Sequence, residues 1–255
     1  MLDDDENGVA RLTHAFGVNA NVQDAVICTD EVGVLLPVGR MISLFSWESR
    51  AMSFVSEGER GDLALALALA PSKKHVAVCE RGEHAQVSLY HVASQRRQKT
   101  LSCSDVASRD YVSAAFSPDS KLLAALSGAP DYTLVLWLWD KGKVLATVKL
   151  GQPAARVSFS PNDAKTVATS GTRLLRLWRV AEGAFKPFNL SMGKHKNELH
   201  AWNDHTWLAD DKLVAVTEAS AQLGAQFGAQ FLTGAQLSRR AILLRPKLPL
   251  RRAIL

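Results

Sequence analysis

The sequence predicts an all-β fold assembled from repeated four-stranded units, and three observations carry that prediction. A pattern of strand, tight turn and strand recurs as LALAPSKKHVAV ending at Val78, AAFSPDSKLLAAL ending at Leu126 and VSFSPNDAKTVAT ending at Thr169. The prolines that mark the turns, Pro71, Pro118 and Pro161, stand 47 and 43 residues apart, close to the roughly 40 to 45 residues of one four-stranded propeller blade. Four runs of β-branched and aromatic residues then supply third strands: ISLFSW after Met41, VSLYHV after Gln86, LVLWLW after Thr133 and LLRLWRV after Arg173.

The elements follow in order. LALALALA at 63 to 70 has helix-forming composition, but its strict alternation and its place before Pro71 favour a strand. Polar or Gly-containing turns at Ser94 to Gln98, Lys141 to Lys143 and Ala181 to Gly183 lead into fourth strands such as VLATVKL at 144 to 150. A further copy, HTWLADDKLVAVT at 205 to 217, places Ala209 where the proline would stand, 48 residues beyond Pro161. A seven-stranded sandwich would also show short strands and frequent turns, but the near-constant spacing favours a WD40-type β-propeller. The expectation is an incomplete propeller of about four blades plus a partial one over residues 12–217.

The third unit carries the side chains that hold such blades together. In Asp131-Tyr132-Thr133-Leu134-Val135-Leu136-Trp137 a turn aspartate precedes a threonine by two residues and a strand-ending tryptophan by six, which is the WD-repeat pattern. The carboxylate is expected to accept hydrogen bonds from turn N–H groups, and the indole to fill the space between blades while donating through its N–H. Alignment on Gly142 and Gly183 matches Trp178 with Trp137, so the literal Trp139-Asp140 dipeptide reads as a coincidence. Asp131, Thr133, Trp137 and Trp178 are the expected blade anchors. Elsewhere the pattern fades, with Thr172 in place of the turn aspartate and Tyr90 or Phe45 in place of the tryptophan.

Residues 218–255 are expected to lie outside the propeller, as a low-complexity basic tail, irregular or weakly helical. Gly-Ala-Gln recurs from 224, 228 and 234, and Arg-Arg-Ala-Ile-Leu at 239 and 251. Pro246 and Pro249 would interrupt an amphipathic helix there.

Composition narrows the function. The chain of 255 residues is 47% hydrophobic and 22% charged, an ordinary globular balance. The acidic start MLDDDENGVARL argues against a secretion signal, and no apolar run reaches the roughly 20 residues of a membrane span. The net charge of +5 is uneven: without Arg239, Arg240, Arg245, Lys247, Arg251 and Arg252 the body stands at −1, which argues against nucleic acid as a partner. Three cysteines at wide spacing suggest reduced thiols. No phosphate-binding glycine loop and no nucleophile elbow occurs. His195, His200 and His205 recur every five residues, which shares a face of neither helix nor strand, so a metal site there is disfavoured. No catalytic residue, cofactor, metal or small-molecule substrate is expected. Arg96, Arg97 and Lys99 form a basic cluster at the turn into a fourth strand, a solvated rim or a partner contact.

With those segments in place, the stretch from Leu12 to Thr217 resembles the amino-terminal propeller of the cilia- and flagella-associated WD-repeat proteins. HAFG at 14 to 17, LPVG at 36 to 39, AAFSPDS at 114 to 120, LVLWLWDKGKVLATV at 134 to 148 and HTWLADDKLV at 205 to 214 carry the likeness. The resemblance implies a non-catalytic scaffold of the axoneme, on the cytoplasmic side, that helps assemble or regulate inner dynein arms on doublet microtubules. It also implies a long coiled coil after the propellers, for which this sequence has no heptads. An adaptor propeller in another cytosolic complex, in transport or translation, is the rival reading, because fold alone does not decide function.

Overall fold

The computed structural model describes residues 13–29, 33–39, 41–56, 63–188, 201–208, 211–217 and 221–224, and every regular element among them is a strand. The first sheet holds β1 (Ile27–Cys28), β2 (Gly33–Val38), β3 (Met41–Ser46) and β4 (Met52–Ser56). The second holds β5 (Leu63–Leu69), β6 (His75–Arg81), β7 (Gln86–His91) and β8 (Arg97–Leu101). The third holds β9 (Tyr111–Phe116), β10 (Leu122–Ser127), β11 (Thr133–Leu138) and β12 (Lys143–Lys149). The fourth holds β13 (Ala154–Phe159), β14 (Thr166–Gly171), β15 (Leu174–Ala181) and β16 (Ala184–Phe188). The fifth has three strands, β17 (Trp202–Trp207), β18 (Leu213–Thr217) and β19 (Ala221–Gly224). Each sheet is an antiparallel meander in chain order, and the five form an open arc of an incomplete propeller. LALALALA is the strand β5.

Alternation along each strand divides its side chains between two neighbouring blades. In blade three, Leu123, Ala125, Val135 and Trp137 pack with Ala77, Cys79, Val87 and Leu89 of blade two. The intervening residues Ala124, Leu126, Leu134 and Leu136 pack with Val157, Phe159, Val167 and Trp178 of blade four. Leu35 and Ile42 meet Leu67, Val76 and Val78 between blades one and two, and Ala168 and Leu177 meet Leu213 between four and five. A one-residue register slip would exchange these faces, so interblade burial fixes the register.

The tight turns between first and second strands recur in detail. Lys73, Ser120 and Asp211 all take a left-handed backbone conformation (φ 62, 60 and 59°), each two positions after Pro71, Pro118 or Ala209. Their N–H groups donate to Ala70, Ser117 and Leu208 carbonyls at 2.8, 2.8 and 3.1 Å. Blade four has one more residue between Phe159 and Val167 than blade three between Phe116 and Leu123, and its turn closes instead through the Thr166 N–H to the Asp163 carbonyl.

One element departs from the sequence reading. β19 pairs with β18 through Leu213–Gly224 and Val216–Ala221, so a third strand of the fifth blade lies inside the segment expected to be non-propeller tail. Backbone N–H and C=O groups supply that pairing whatever the side chains, which is why low-complexity sequence hid it. Residues 225–255 of the expected tail lie outside the described residues.

Candidate functional site

The expected blade anchors sit at two interblade contacts. Asp131 accepts from Thr133 Oγ1 at 3.0 Å, from the Ala107 N–H at 3.2 Å and from Ser108 Oγ. The donated N–H thus comes from the preceding interblade loop, so the carboxylate ties that loop to the β10–β11 turn. Burial works to raise the Asp131 carboxyl, and the hydrogen bonds from Ser108, Thr133 and Ala107 outweigh it, holding the group below its usual value. Trp137 and Trp178 occupy equivalent positions, opposite Leu123 and Val167, and both are fully buried. Trp178 Nε1 donates to Thr169 Oγ1 at 2.9 Å. In blade three the position of Thr169 is taken by Ala125, and among the described residues Trp137 Nε1 finds no acceptor.

Near the axis the inner strands converge on residues 23 and 24. The Gln23 backbone pairs with β5, its N–H donating to Leu65 at 2.8 Å and its carbonyl accepting from Leu67 at 3.1 Å. Its side-chain amide, turned with nitrogen inward, donates to the Val112 and Ala155 carbonyls at 2.6 and 3.1 Å. Beside it Arg156 of β13 forms ion pairs with Asp24 (Nη1–Oδ1 3.2 Å) and Asp204 (Nε–Oδ1 2.9 Å), joining the first, fourth and fifth blades. A cavity of about 510 Å³ opens here between Asp24, Lys73, Arg156 and the ends of β5, β9 and β13.

Behind Arg156 lies a buried network. His205 is 2% exposed, with Nε2 2.7 Å from Ser158 Oγ and Nδ1 2.6 Å from Ser170 Oγ, while Trp207 Nε1 donates to Ser158 Oγ at 2.9 Å. Burial first, and then the Arg156 charge, push the imidazole pKa down to about 3. A neutral imidazole suits this setting, one nitrogen donating and the other accepting. Serine hydroxyls occupy both ring nitrogens of the buried His205, so these contacts tie β17 to β13 and β14. His195 and His200 lie outside the described residues, and among the described residues no three His, Cys, Asp or Glu side chains come together to hold a metal.

Sequence reasoning missed this centre, since Asp24 and Arg156 are 132 residues apart and neither carries a motif. The basic cluster predicted at the rim is divided in the structure: Arg96 and Arg97 are exposed, whereas Lys99 Nζ donates to the Asp140 carbonyl of the next blade.

His205 predicts an acid sensitivity. The native imidazole stays neutral down to about pH 3, while an unfolded histidine takes up its proton near pH 6.5. Between those values the unfolded state binds more protons, so stability falls as pH falls, at about 1.4 kcal/mol per unit. Thermal melts are expected to show a loss of about 2 kcal/mol between pH 7.5 and 5, with His205→Gln flattening the slope. A slope unchanged in that variant would assign the effect to other groups.

Strand count, blade packing and the Asp-Thr-Trp arrangement define the chain as a WD-repeat β-propeller. The profile of the Lipoprotein LpqB beta-propeller domain matches residues 87–201. Among curated proteins the chain is similar to Cilia- and flagella-associated protein 57 of Mus musculus, 32% identical over 216 residues. That alignment covers 82% of this chain and 17% of the relative. It is also similar to Cilia- and flagella-associated protein 44 of Mus musculus (25% identity, 67% of this chain, 9% of the relative) and of Chlamydomonas reinhardtii (26%, 86% and 13%). The chain therefore spans less than a fifth of these relatives' length, and the resemblance read from its residues is borne out: over most of its length the chain is similar to WD-repeat proteins of the cilia- and flagella-associated kind.

Proposed function

We propose that the chain serves as a non-catalytic protein-interaction scaffold in motile cilia and flagella, at the axoneme, helping to place or regulate inner dynein arms. The observation that carries this reading is the 32% identity to Cilia- and flagella-associated protein 57 across 82% of the chain. Blades of this kind offer rigid turns and loops to partners, and four interblade cores hold those loops in fixed relation. No metal, cofactor or small molecule enters the proposed role.

The test is proximity labelling from the tagged chain in ciliated cells, read with its position by microscopy. Enrichment of dynein-arm and doublet proteins, with signal along the axoneme, is the expected result. A diffuse signal with only chaperones labelled would overturn the reading.

A further inference from the structure

Hydrogen bonds between turns establish which loops share an end of the propeller. Ser72 N–H donates to Ser120 Oγ at 3.0 Å, and Ser160 Oγ to Asp211 at 2.6 Å, linking first turns of neighbouring blades. Trp139 Nε1 donates to the Ser120 carbonyl at 2.8 Å, and Val180 N–H to the Lys165 carbonyl at 2.8 Å, bringing the third-strand ends to the same level. Gln95 Nε2 reaches Ser53 Oγ and Lys99 Nζ the Asp140 carbonyl, which adds the turns into the fourth strands. Among the described residues, one end of the arc thus carries the turns of these two kinds.

Cations are concentrated there. Lys74, Arg96, Lys121, Lys141, Lys143 and Lys165 are all exposed on this end. Glu48 and Glu182 are exposed on this end as well, Glu182 pairing with Lys186 at 2.5 Å, but the cations outnumber them, and the other described acids here are turned toward the backbone. Asp119 accepts from Ser117 Oγ at 2.5 Å and the Lys121 N–H at 3.2 Å, and Asp163 from the Lys165 N–H and Thr166 Oγ1, both at 2.8 Å. Asp140 accepts from the Lys141 N–H at 2.8 Å, and Asp211 from Ser160. These carboxylates stabilise turns while the ammonium groups project into water. At the opposite end charges balance among the described residues: Arg81 pairs with Asp110 (2.7 Å), and Glu83, Asp105 and Asp131 offset Arg109, Lys149 and Arg173.

We infer that the end bearing the first-to-second and third-to-fourth strand turns is a docking surface for an acidic polypeptide segment rich in glutamate or aspartate. Clustered like charge attracts an oppositely charged partner and speeds its encounter. A polypeptide suits the surface better than nucleic acid. Its cations are mostly lysines set between carboxylates, which a peptide of mixed spacing tolerates and a continuous phosphate backbone does not. The inference adds a surface and a partner chemistry to the scaffold reading and is tested without cilia, so either stands or fails alone.

The experiment measures fluorescence anisotropy of a labelled oligoglutamate peptide titrated with the full chain at about 50 and 300 mM salt. A single-stranded RNA of equal charge runs beside it. The reversal Lys121→Glu/Lys141→Glu/Lys165→Glu is compared with Arg109→Glu/Lys149→Glu/Arg173→Glu at the opposite end, and the neutral Lys121→Gln/Lys141→Gln/Lys165→Gln guards against misfolding, with melts for each. Salt-sensitive peptide binding is expected, weakened roughly tenfold or more by the first reversal, partly by the neutral variant and little by the opposite-end one. The basic residues from Arg239 to Arg252 stay in every variant. Binding that none of the first-end changes alters, an equal loss in both reversals, no peptide binding at low salt, or tighter binding of the RNA would each overturn the inference.

Discussion

Replacing Trp178 with alanine is expected to remove about 3 to 5 kcal/mol of stability, the cost of a large cavity in a close-packed interior. The indole is 2% exposed, packs edge-on against Phe185 with ring centroids 6.1 Å apart, and belongs to the core that joins blades three and four. Trp137→Ala should cost a similar amount, since that ring is fully buried between blades two and three and stands edge-on to Tyr111 at 5.6 Å. Phenylalanine separates the two positions. At 178 it removes the hydrogen bond to Thr169, whose buried hydroxyl keeps only its long bond to the Arg176 carbonyl at 3.4 Å, adding about 1 kcal/mol to the loss of ring volume. At 137 no such bond exists to lose, so Trp137→Phe should be the milder change. Urea unfolding of the four variants reads these differences. Alanine losses well under 1 kcal/mol would remove the anchor role.

How far the sequence revealed this fold depends on the range of each interaction. Strands and their register follow from alternation, as LALALALA illustrates, because each strand is sorted by what its two faces meet. The turns were legible too: Pro71 and Pro118 are local signals, and the turn closed by the Asp211 N–H to the Leu208 carbonyl repeats theirs although no proline stands before it. Long-range polar contacts were not legible. Arg156 of β13 meets Asp24, just before β1, and Asp204 of β17 only because the fold brings three distant segments together, and no spacing along the chain encodes that. The Ser158–His205–Ser170 network likewise joins two blades. Equal spacing of three histidines gave no hint that one of them would be buried. Net charge misled in another way, for a body at −1 conceals lysines gathered at one end by the alternation of turns. Low complexity after Thr217 hid β19, which the backbone of β18 accepts without regard to side-chain pattern.

Gly171→Ala is the second large effect, and its cause is space and not backbone conformation. Gly171 closes β14, opposite Ala154 on one side and Leu174 on the other. A Cβ there would lie 2.3 Å from the Pro153 carbonyl oxygen and 2.5 Å from Ala154 Cα. Neither atom is the end of a pliable side chain. The Pro153 carbonyl accepts the Thr172 N–H at 2.9 Å, and Ala154 is buried in the core between blades three and four. Relief requires β13 to move away from β14, opening the sheet beside Arg156 and the axial contacts. The expected loss is about 3 kcal/mol or more, at or above the usual range for overpacking. Gly151→Ala is the control. It takes φ 69° with nothing within 4 Å of the added carbon, so it should cost only the roughly 1 to 2 kcal/mol of a left-handed non-glycine residue. A Gly171→Ala protein as stable as Gly151→Ala would mean that β13 and β14 lie further apart than the register Ala154–Gly171 requires.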